Sequence, residues 1–406
     1  MTPDQNAKIA RISRLNQVFT PSTPISRRAA FAGRFDQIMQ ITAAVSQPGR
    51  HIVLYGERGV GKTSLANILS ELLIPTESSF REYAVRVNCS VDDSFKSVWT
   101  RIFNELHLDI PEAWTYGTPS PDEIRQLLAR VNPPMVVVID EYDRLDDDST
   151  LSLMADTIKS LSDHTVGTKI VLVGVSDSIE QLIGEHESVR RALEEVNMPR
   201  MERREIAELI IDGFREVGMQ VEDAALGRIA RLAEGLPTYA HALSLRAGTF
   251  AIQDDAERVT LVHVERAARQ LVESPHSSKS AYVTATQSPR PENLFAQVLA
   301  ACALAEKDEL GYFTPASVKD PLSQIMGRTY DIPAFSRHLS EFLSDSRGPV
   351  LQRKGEPRKY RYRFRDPLMQ PFAIMAALSQ GLIPDSYQQS LFSVDETRDW
   401  NDLLDR

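Results

Sequence analysis

The residues of this 406-residue chain that could do chemistry begin with one glycine-rich run. The run matches G-x-x-x-x-G-K-[ST], a pattern that predicts a loop around the phosphates of ATP. Glycines let backbone N–H groups approach phosphate, the lysine reaches the β- and γ-phosphates, and the hydroxyl binds Mg²⁺. ATP and Mg²⁺ are therefore the expected cofactors. The expected nucleotide-binding residues are Gly56, Glu57, Arg58, Gly59, Val60, Gly61, Lys62, Thr63 and Ser64.

The sequence on either side of the loop predicts the elements that position it. An apolar run at 51–55 indicates a buried strand. After the loop, Leu65, Ile68, Leu69 and Leu72 have the spacing of one helix face. A strand, a glycine turn and a helix together direct backbone N–H groups and a helix N-terminus at an anion.

A second stretch, 133–141, ends a continuous apolar run with two carboxylates. Such runs are typical of parallel strands that are buried on both faces. In proteins with a phosphate-binding loop, the acid that ends this strand holds Mg²⁺. We therefore expect Asp140 to bind the metal together with Thr63. The adjacent Glu141 is the expected general base that polarises the attacking water.

With both motifs present, the chain resembles the AAA+ ATPases, and among them the origin-recognition type of replication initiator. It also resembles the STAND signalling NTPases. Strand and helix signals alternate over 31–200, which favours a mostly parallel sheet. The expected fold class is α/β: a parallel-sheet P-loop AAA+ core with a helical lid, followed by a C-terminal winged-helix domain.

The resemblance also implies roles for residues outside the two motifs. Phe31 opens an F-x-G-R segment that ends at Arg34 and packs near adenine in the family. Asn88 ends a strand, where a polar residue can hold the catalytic glutamate inactive. The stretch 140–143 resembles the D-E-x-D of the initiators, and the strand at 169–175 resembles the sensor-1 strand.

The chain departs from the family pattern at three places. The sensor-1 position is usually asparagine, but here it is Asp177, whose carboxylate a γ-phosphate would repel. The lid lacks an obvious sensor-2 arginine and instead carries a G-x-P motif that resembles STAND proteins, in which Pro237 would pack on the base. The arginine that acts on a neighbouring subunit is either Arg190 or Arg191, and we favour Arg191 as the catalytic residue.

The order of signals along the chain predicts six segments. The lid signals are helical, the next stretch is rich in serine and proline, and three helices followed by a β-hairpin indicate a winged helix. The expected segments are a basic N-terminal arm (1–30), the AAA+ ATPase core (31–202), the helical lid (203–272), a linker (273–293), the winged-helix domain (294–384) and an acidic tail (385–406).

Charge is distributed unevenly in a chain whose net charge is −10. Between 346 and 365, Glu356 is the single acid among many cations. In the second predicted strand of the hairpin, aromatic and basic residues alternate, which places the cations on one face. Such an edge suits the phosphates of duplex DNA. The candidate DNA-binding residues are Arg353, Lys354, Arg358, Lys359, Arg361, Arg363 and Arg365.

Composition bounds the location of the protein. No apolar run approaches the roughly 20 residues that a membrane helix needs, and the N-terminus lacks the apolar core of a signal peptide. The two cysteines, Cys89 and Cys302, lie far apart and form no metal or redox motif. We therefore expect a cytoplasmic protein without a membrane partner.

Three functions remain open at this point. The first is an ATP-hydrolysing switch that forms a homo-oligomer and binds duplex DNA through the basic hairpin. The second is a STAND-type signalling NTPase, for antiphage defence or stress response, that controls a protein effector. The third is a transposition-type AAA+ regulator. The basic strand could also dock on an acidic protein surface instead of DNA.

Overall fold

The computed structural model describes residues 3–23, 33–72, 84–132, 134–176, 187–288, 293–308, 310–357 and 359–392. Three predicted site residues, Phe31, Asp177 and Arg358, lie outside these ranges. The chain divides into two compact units. One is Pro24–Pro199, and the other comprises Met1–Thr23 together with Arg200–Arg406.

A parallel five-stranded sheet lies at the centre of the unit Pro24–Pro199, with the order β2-β3-β4-β1-β5. The predicted parallel sheet is thus confirmed. β3 is buried along its whole length, and β4 at all but its last residue, which explains their unbroken apolar runs. The strands are β1 (His51–Gly56), β2 (Ala84–Asn88), β3 (Val136–Asp140), β4 (Lys169–Val175) and β5 (Leu193–Asn197).

Helices surround this sheet, and α4 shows why the apolar pattern produces them. Its N-cap Ser94 forms a capping box with Ser97, and its apolar residues, which recur at helical spacing, are buried. The rings of Phe95, Trp99 and Phe103 follow one another at centroid distances of 6.3 and 6.2 Å. The helices of this unit are α2 (Phe35–Ser46), α3 (Lys62–Leu72), α4 (Phe95–Glu105), α5 (Ala113–Tyr116), α6 (Pro121–Leu128), α7 (Asp148–Asp163) and α8 (Glu187–Arg190).

The other unit is mostly helical. Three helices, α14 to α16, precede the antiparallel pair β8–β9. Its helices are α1 (Pro3–Val18), α9 (Arg203–Glu216), α10 (Asp223–Ala233), α11 (Pro237–Gln253), α12 (Leu261–Glu273), α13 (Ser277–Thr286), α14 (Phe295–Leu304), α15 (Pro315–Met326), α16 (Ile332–Glu341), α17 (Met369–Ser379) and α18 (Asp385–Leu391). Its strands are β6 (Gln220–Val221), β7 (Arg258–Val259), β8 (Leu351–Lys354) and β9 (Arg361–Phe364).

The structure corrects two local expectations in this unit. The lid segment contains the parallel pair β6–β7, whose two-residue strands are too short to produce a periodic pattern. The expected linker contains helix α13, in which Tyr282 and Ala285 are buried. The Tyr282 ring lies 5.5 Å from that of Phe372. Tertiary packing therefore stabilises a serine-rich helix that local propensity does not favour.

The expected basic N-terminal arm contains helix α1 (Pro3–Val18). Helix α1 packs on α11 and α9. Leu15 and Phe19 are buried, and the Phe19 ring lies 4.9 Å from that of Phe214. A Cβ on Gly213 would come within 2.5 Å of the Phe19 ring. Gly213 therefore provides the space that admits Phe19 to this groove.

Candidate nucleotide-binding site

The predicted phosphate-binding residues form the turn between β1 and α3. Gly59 and Gly61 have φ of 86° and 96°, which an L-residue rarely adopts. At Gly56, with φ of 149°, an added Cβ would lie 2.4 Å from the backbone oxygen of Met198. Glycine is therefore required at the start of the turn for both conformation and space.

Lys62 is buried at the first position of α3, although it carries a charge. Its Nζ donates to the backbone oxygens of Gly56 at 3.0 Å and Glu57 at 2.7 Å. Burial lowers the pKa of Lys62 to about 8, while the carboxylates of Asp143 and Asp140 oppose this change. The ammonium group is thus held in the turn by carbonyl groups where a phosphate oxygen could replace them.

This pKa leads to a prediction on pH. Phosphate favours the charged ammonium, so the pKa of Lys62 rises when a nucleotide binds. Above pH 8 the free protein loses a proton that the complex retains. Affinity for ATP should therefore fall by up to about tenfold per pH unit between pH 8 and 9. Equilibrium binding of a fluorescent ATP analogue measures this change in affinity.

The variant Lys62→Ala should bind the analogue more weakly at all pH values, and its affinity should not decline above pH 8. An unchanged wild-type affinity up to pH 9.5 would contradict the assignment of Lys62 to the phosphates.

Arg34 supports the same turn from the side. Its guanidinium is buried and Nη2 donates to the backbone oxygens of Val60 at 3.0 Å and Pro199 at 2.6 Å. Its backbone is left-handed, with φ of 62°, at the N-cap of α2. The sequence placed Arg34 in the F-x-G-R segment but did not assign it this contact. Arg34 therefore stabilises the phosphate-binding turn by hydrogen bonding to its backbone.

The two predicted metal ligands are brought together. Thr63 Oγ1 donates to Asp140 Oδ2 at 2.8 Å, and the Glu141 backbone N–H donates to Asp140 Oδ1 at 2.8 Å. A hydroxyl and a carboxylate are hard oxygen ligands, and Mg²⁺ takes one or two of these together with substrate phosphates. The donor set fits Mg²⁺ on these grounds. Within the described ranges, no group of three or more His, Cys, Asp or Glu side chains is arranged to hold a metal ion by itself.

Glu141 has an unusual backbone and a basic partner. Its φ of 54° and ψ of 35° are left-handed, a conformation that is uncommon for a residue with a side chain. Arg144 Nη1 lies 3.0 Å from Glu141 Oε2, and both side chains are about half exposed. Non-glycine residues in this region often mark functional sites. In this state the carboxylate of the predicted base is paired with Arg144.

Asn88 lies beside Asp140 but does not engage Glu141. It pairs with Asp140 in the β2–β3 register, and its backbone oxygen accepts from Arg101 Nη2 at 3.0 Å. Within the described ranges, no hydrogen bond joins the Asn88 side chain to Glu141. Asp143, the last acid of the D-E-x-D stretch, accepts from the Val175 backbone N–H at 2.7 Å. Asp143 thus joins the ends of β3 and β4.

Of the two candidate arginines, Arg190 ends α8 and Arg191 follows it, and both have acidic partners. Arg191 Nη2 lies 3.0 Å from Asp163 Oδ1, with 71% of its side chain exposed. Arg190 Nε lies 2.8 Å from Glu195 Oε1, and its side chain is 50% exposed. Arg191 is the more accessible of the two cations.

Sequence reasoning did not single out Arg86 of β2, which also lies at this site. Its Nη2 lies 2.8 Å from Asp140 Oδ2, the oxygen that also accepts from Thr63. Its Nη1 donates to Asn67 Oδ1 at 3.1 Å. The available signal was an arginine inside an otherwise apolar strand. Nothing local showed that this strand would lie next to β3.

Pro237 lies in the second unit, where it begins α11 at a position that favours proline. Gly235 before it has φ of 72°, and a Cβ there would lie 2.7 Å from the Met201 backbone oxygen. The side chain of Gln370, which is fully buried, joins this turn to α17. Its Nε2 donates to Glu234 Oε2 at 2.6 Å, and its Oε1 accepts from Arg200 Nη1 at 2.6 Å.

The hairpin cations fall into two groups. The predicted alternation in β9 is confirmed, because Tyr362 and Phe364 are buried while Arg361 and Arg365 are exposed. Arg361 and Arg363 lie over the Tyr312 ring at 5.5 and 4.8 Å. Arg361 also forms an ion pair with Asp308 at 2.9 Å.

The remaining hairpin cations within the described ranges are exposed. Arg353 lies over the ring of Tyr360 at 4.0 Å. Lys354, Lys359 and Arg365 are exposed, and within the described ranges their side chains have no hydrogen bond or ion pair. These three side chains are therefore the cations most available to an external phosphate.

Comparison with known proteins agrees with this geometry. Residues 45–183 match the family model of an AAA domain. No curated protein sequence matches the chain significantly. No helix within the described ranges has the length and apolar character needed to cross a bilayer.

Solved structures resemble the chain over most of its length. The Walker-type ATPase PABY2304 of Pyrococcus abyssi is 15% identical with a TM-score of 0.52, covering 88% of this chain and 99% of its own. The Aeropyrum pernix ORC2 protein in ADPNP–ADP complexes is 12% identical with a TM-score of 0.50, covering 90% and 98%. The A. pernix ORC1 protein in complex with DNA is 17% identical with a TM-score of 0.50, covering 90% and 97%. Residues 45–183 thus match an AAA domain and contain the phosphate-binding loop, in a chain whose fold is similar to that of the A. pernix ORC1 and ORC2 proteins.

Proposed function

We propose that this protein binds and hydrolyses ATP with Mg²⁺ as a molecular switch. The observation that carries the proposal is the convergence of Lys62, Thr63 and Asp140 at the carboxyl ends of β1 and β3. Ligands bind at this edge of open α/β sheets. The fold similarity to an ORC2 protein solved in ADPNP–ADP complexes also supports nucleotide binding.

Each residue of the site has a chemical role in this proposal. Lys62 would exchange its carbonyl partners for phosphate oxygens, because the buried ammonium is already charged at neutral pH. Thr63 and Asp140 would hold Mg²⁺, which neutralises the charge of the phosphates. Glu141 would leave Arg144, turn toward the attacking water and accept its proton.

We also propose that the protein acts as a homo-oligomer in which Arg191 completes the neighbouring site. Arg191 is 71% exposed, and its ion pair with Asp163 lies on the surface, where such pairs contribute little. A neighbouring phosphate could therefore replace Asp163 as its partner. An arginine supplied in trans is worth roughly 10³–10⁵ in rate, because it stabilises charge in the transition state.

Mutant mixing tests this arrangement. Arg191→Ala should bind ATP normally yet lose hydrolysis by at least about 10³-fold. Mixing it with Lys62→Ala should restore part of the activity, since one subunit supplies the arginine and the other the phosphate-binding loop. Phosphate release at varied ratios of the two variants measures this.

Arg190→Ala is the matched variant, because its side chain pairs with Glu195 in the same way. Hydrolysis lost in Arg190→Ala but kept in Arg191→Ala would transfer the role to Arg190. A specific activity that is independent of concentration, with no restoration in any mixture, would show that each subunit acts alone.

For the second unit, we propose a winged-helix domain formed by α14–α16 and the β8–β9 hairpin, with duplex DNA as its partner. The order of three helices and a hairpin supports this, as does the exposure of Lys354, Lys359 and Arg365. Cations of this kind supply sequence-independent affinity for the phosphate backbone. The similar A. pernix ORC1 protein was solved in complex with DNA.

Contacts within the unit distinguish two groups of hairpin cations. Arg361 is bound to Asp308 and lies with Arg363 over Tyr312. These contacts hold the hairpin against the turn before α15. We therefore assign phosphate contact to Lys354, Lys359 and Arg365, and a supporting role to Arg361 and Arg363.

A signalling NTPase with a protein effector is the second candidate. The contacts of Gln370 favour it, because they tie the turn before Pro237, which carries the G-x-P motif, to α17 within the same unit. Fluorescence anisotropy of a labelled duplex, with and without ATP, separates the candidates. Salt-dependent binding supports the DNA proposal, and no binding at 50 mM salt would favour the effector.

A further inference from the structure

The Arg86 guanidinium occupies a place in this site that neither the motifs nor the fold requires. Nη2 is 2.8 Å from Asp140 Oδ2, and Nη1 donates to Asn67 Oδ1 at 3.1 Å. The third nitrogen, Nε, is buried and has no hydrogen-bond partner in the described ranges. Among the described residues, Asp140 and Asn67 hold the guanidinium, and the buried Nε–H has no acceptor.

Parallel pairing creates this contact. β2 lies beside β3, with Arg86 opposite Val138 and Asn88 opposite Asp140. Val85 and Val87 are buried, so the alternation in β2 places Arg86 on the opposite face. Its bond to Asn67 of α3 shows that this is the face covered by the helix that follows the phosphate-binding turn.

The ion pair between Arg86 and Asp140 affects the charge of the metal site. The Asp140 side chain is 4% exposed, and a buried carboxylate is costly unless it is paired. Without metal, Arg86 supplies the opposite charge. The same guanidinium would repel a Mg²⁺ held by Thr63 and Asp140 and would compete with it for Asp140 Oδ2. The ion pair therefore stabilises the metal-free state relative to the metal-bound state.

We propose that Arg86 is a positioning residue that lowers the affinity of this site for Mg²⁺ by neutralising Asp140 in the metal-free state. The inference rests on the proposed function, since it concerns the metal of the same nucleotide site. It predicts that the protein exchanges Mg²⁺-nucleotide more readily than a site with an unpaired aspartate. Arg86 acts through Asp140 and makes no contact with the reacting atoms.

Calorimetric titration with ADP over a range of Mg²⁺ concentrations tests the proposal without hydrolysis. Arg86→Gln removes the charge but keeps a donor for Asp140 or Asn67. The Mg²⁺ concentration for half-maximal tightening of ADP binding should fall about tenfold, equivalent to about 1.4 kcal/mol. Arg86→Lys keeps the charge and should remain within about twofold of wild type.

Thermal unfolding gives a second readout, because a merely structural role would lower the midpoint equally with and without metal. For Arg86→Gln the midpoint should fall clearly in EDTA and less with Mg²⁺ and ADP, because the metal then neutralises Asp140. Arg125→Met is the control, since Arg125 pairs with Asp122 at 2.7 Å on α6. It should leave the Mg²⁺ requirement unchanged.

Failure of this inference can be distinguished from failure of the proposed function. An unchanged or raised Mg²⁺ requirement in Arg86→Gln would overturn the inference, as would an equal fall of its midpoint in EDTA and in Mg²⁺-ADP. Both results leave the nucleotide site standing, because ADP still binds. A wild-type protein that binds no ADP at any Mg²⁺ concentration would instead overturn the proposed function.

Discussion

Replacing Glu141 with glutamine should reduce ATP hydrolysis by roughly 10²–10⁴-fold, because the amide cannot accept the proton of the attacking water. Affinity for ATP should stay close to that of wild type, since Lys62 and Thr63 remain in place. The change also breaks the pair with Arg144, which is half exposed and contributes little to stability. The variant should therefore stay folded and hold ATP uncleaved.

Single-turnover hydrolysis measured beside equilibrium ATP binding tests this expectation. Asp146→Asn is the matched control, because it removes one negative charge from the same exposed loop. It should hydrolyse ATP at the wild-type rate. Hydrolysis by Glu141→Gln at the wild-type rate would remove Glu141 as the base.

Neutralising the three exposed hairpin cations, Lys354, Lys359 and Arg365, should nearly eliminate binding to duplex DNA. Each phosphate contact contributes about −0.9 to the slope of log affinity against log salt on B-DNA. Loss of three contacts should therefore make this slope shallower by about 2.7. The same loss should weaken the affinity for duplex DNA roughly 500-fold at 0.1 M salt. The variant carries glutamine at all three positions. ATP affinity should not change, because the phosphate-binding turn lies in the other unit.

Two comparisons make this measurement specific. Glutamine at Lys96, Arg125 and Arg130 changes the net charge equally within the other unit and should leave the salt slope unaltered. Arg361→Gln removes the ion pair with Asp308 and should loosen the hairpin more than it weakens binding. A triple variant with the wild-type salt slope would exclude the hairpin as the DNA contact.

The sequence alone determined the local chemistry of this protein. The turn from Gly56 to Thr63 and the end of β3 at Asp140 depend on glycine backbone freedom and on continuous apolar runs. Both features act within a few residues, so their patterns are visible in the chain. The same holds for β9, where alternation placed Tyr362 inside and Arg361 outside.

Tertiary structure decided which side chains meet. Arg86 reaches Asp140 because β2 pairs with β3, a long-range choice that no local pattern encodes. Arg34 reaches the phosphate-binding turn through another long-range contact, at a sequence separation of 26 residues. Helix α13 forms because Tyr282 and Ala285 find a buried surface, against the propensity of their serine-rich segment. Burial and pairing of distant groups depend on the whole fold, whereas motifs depend on neighbours in the chain.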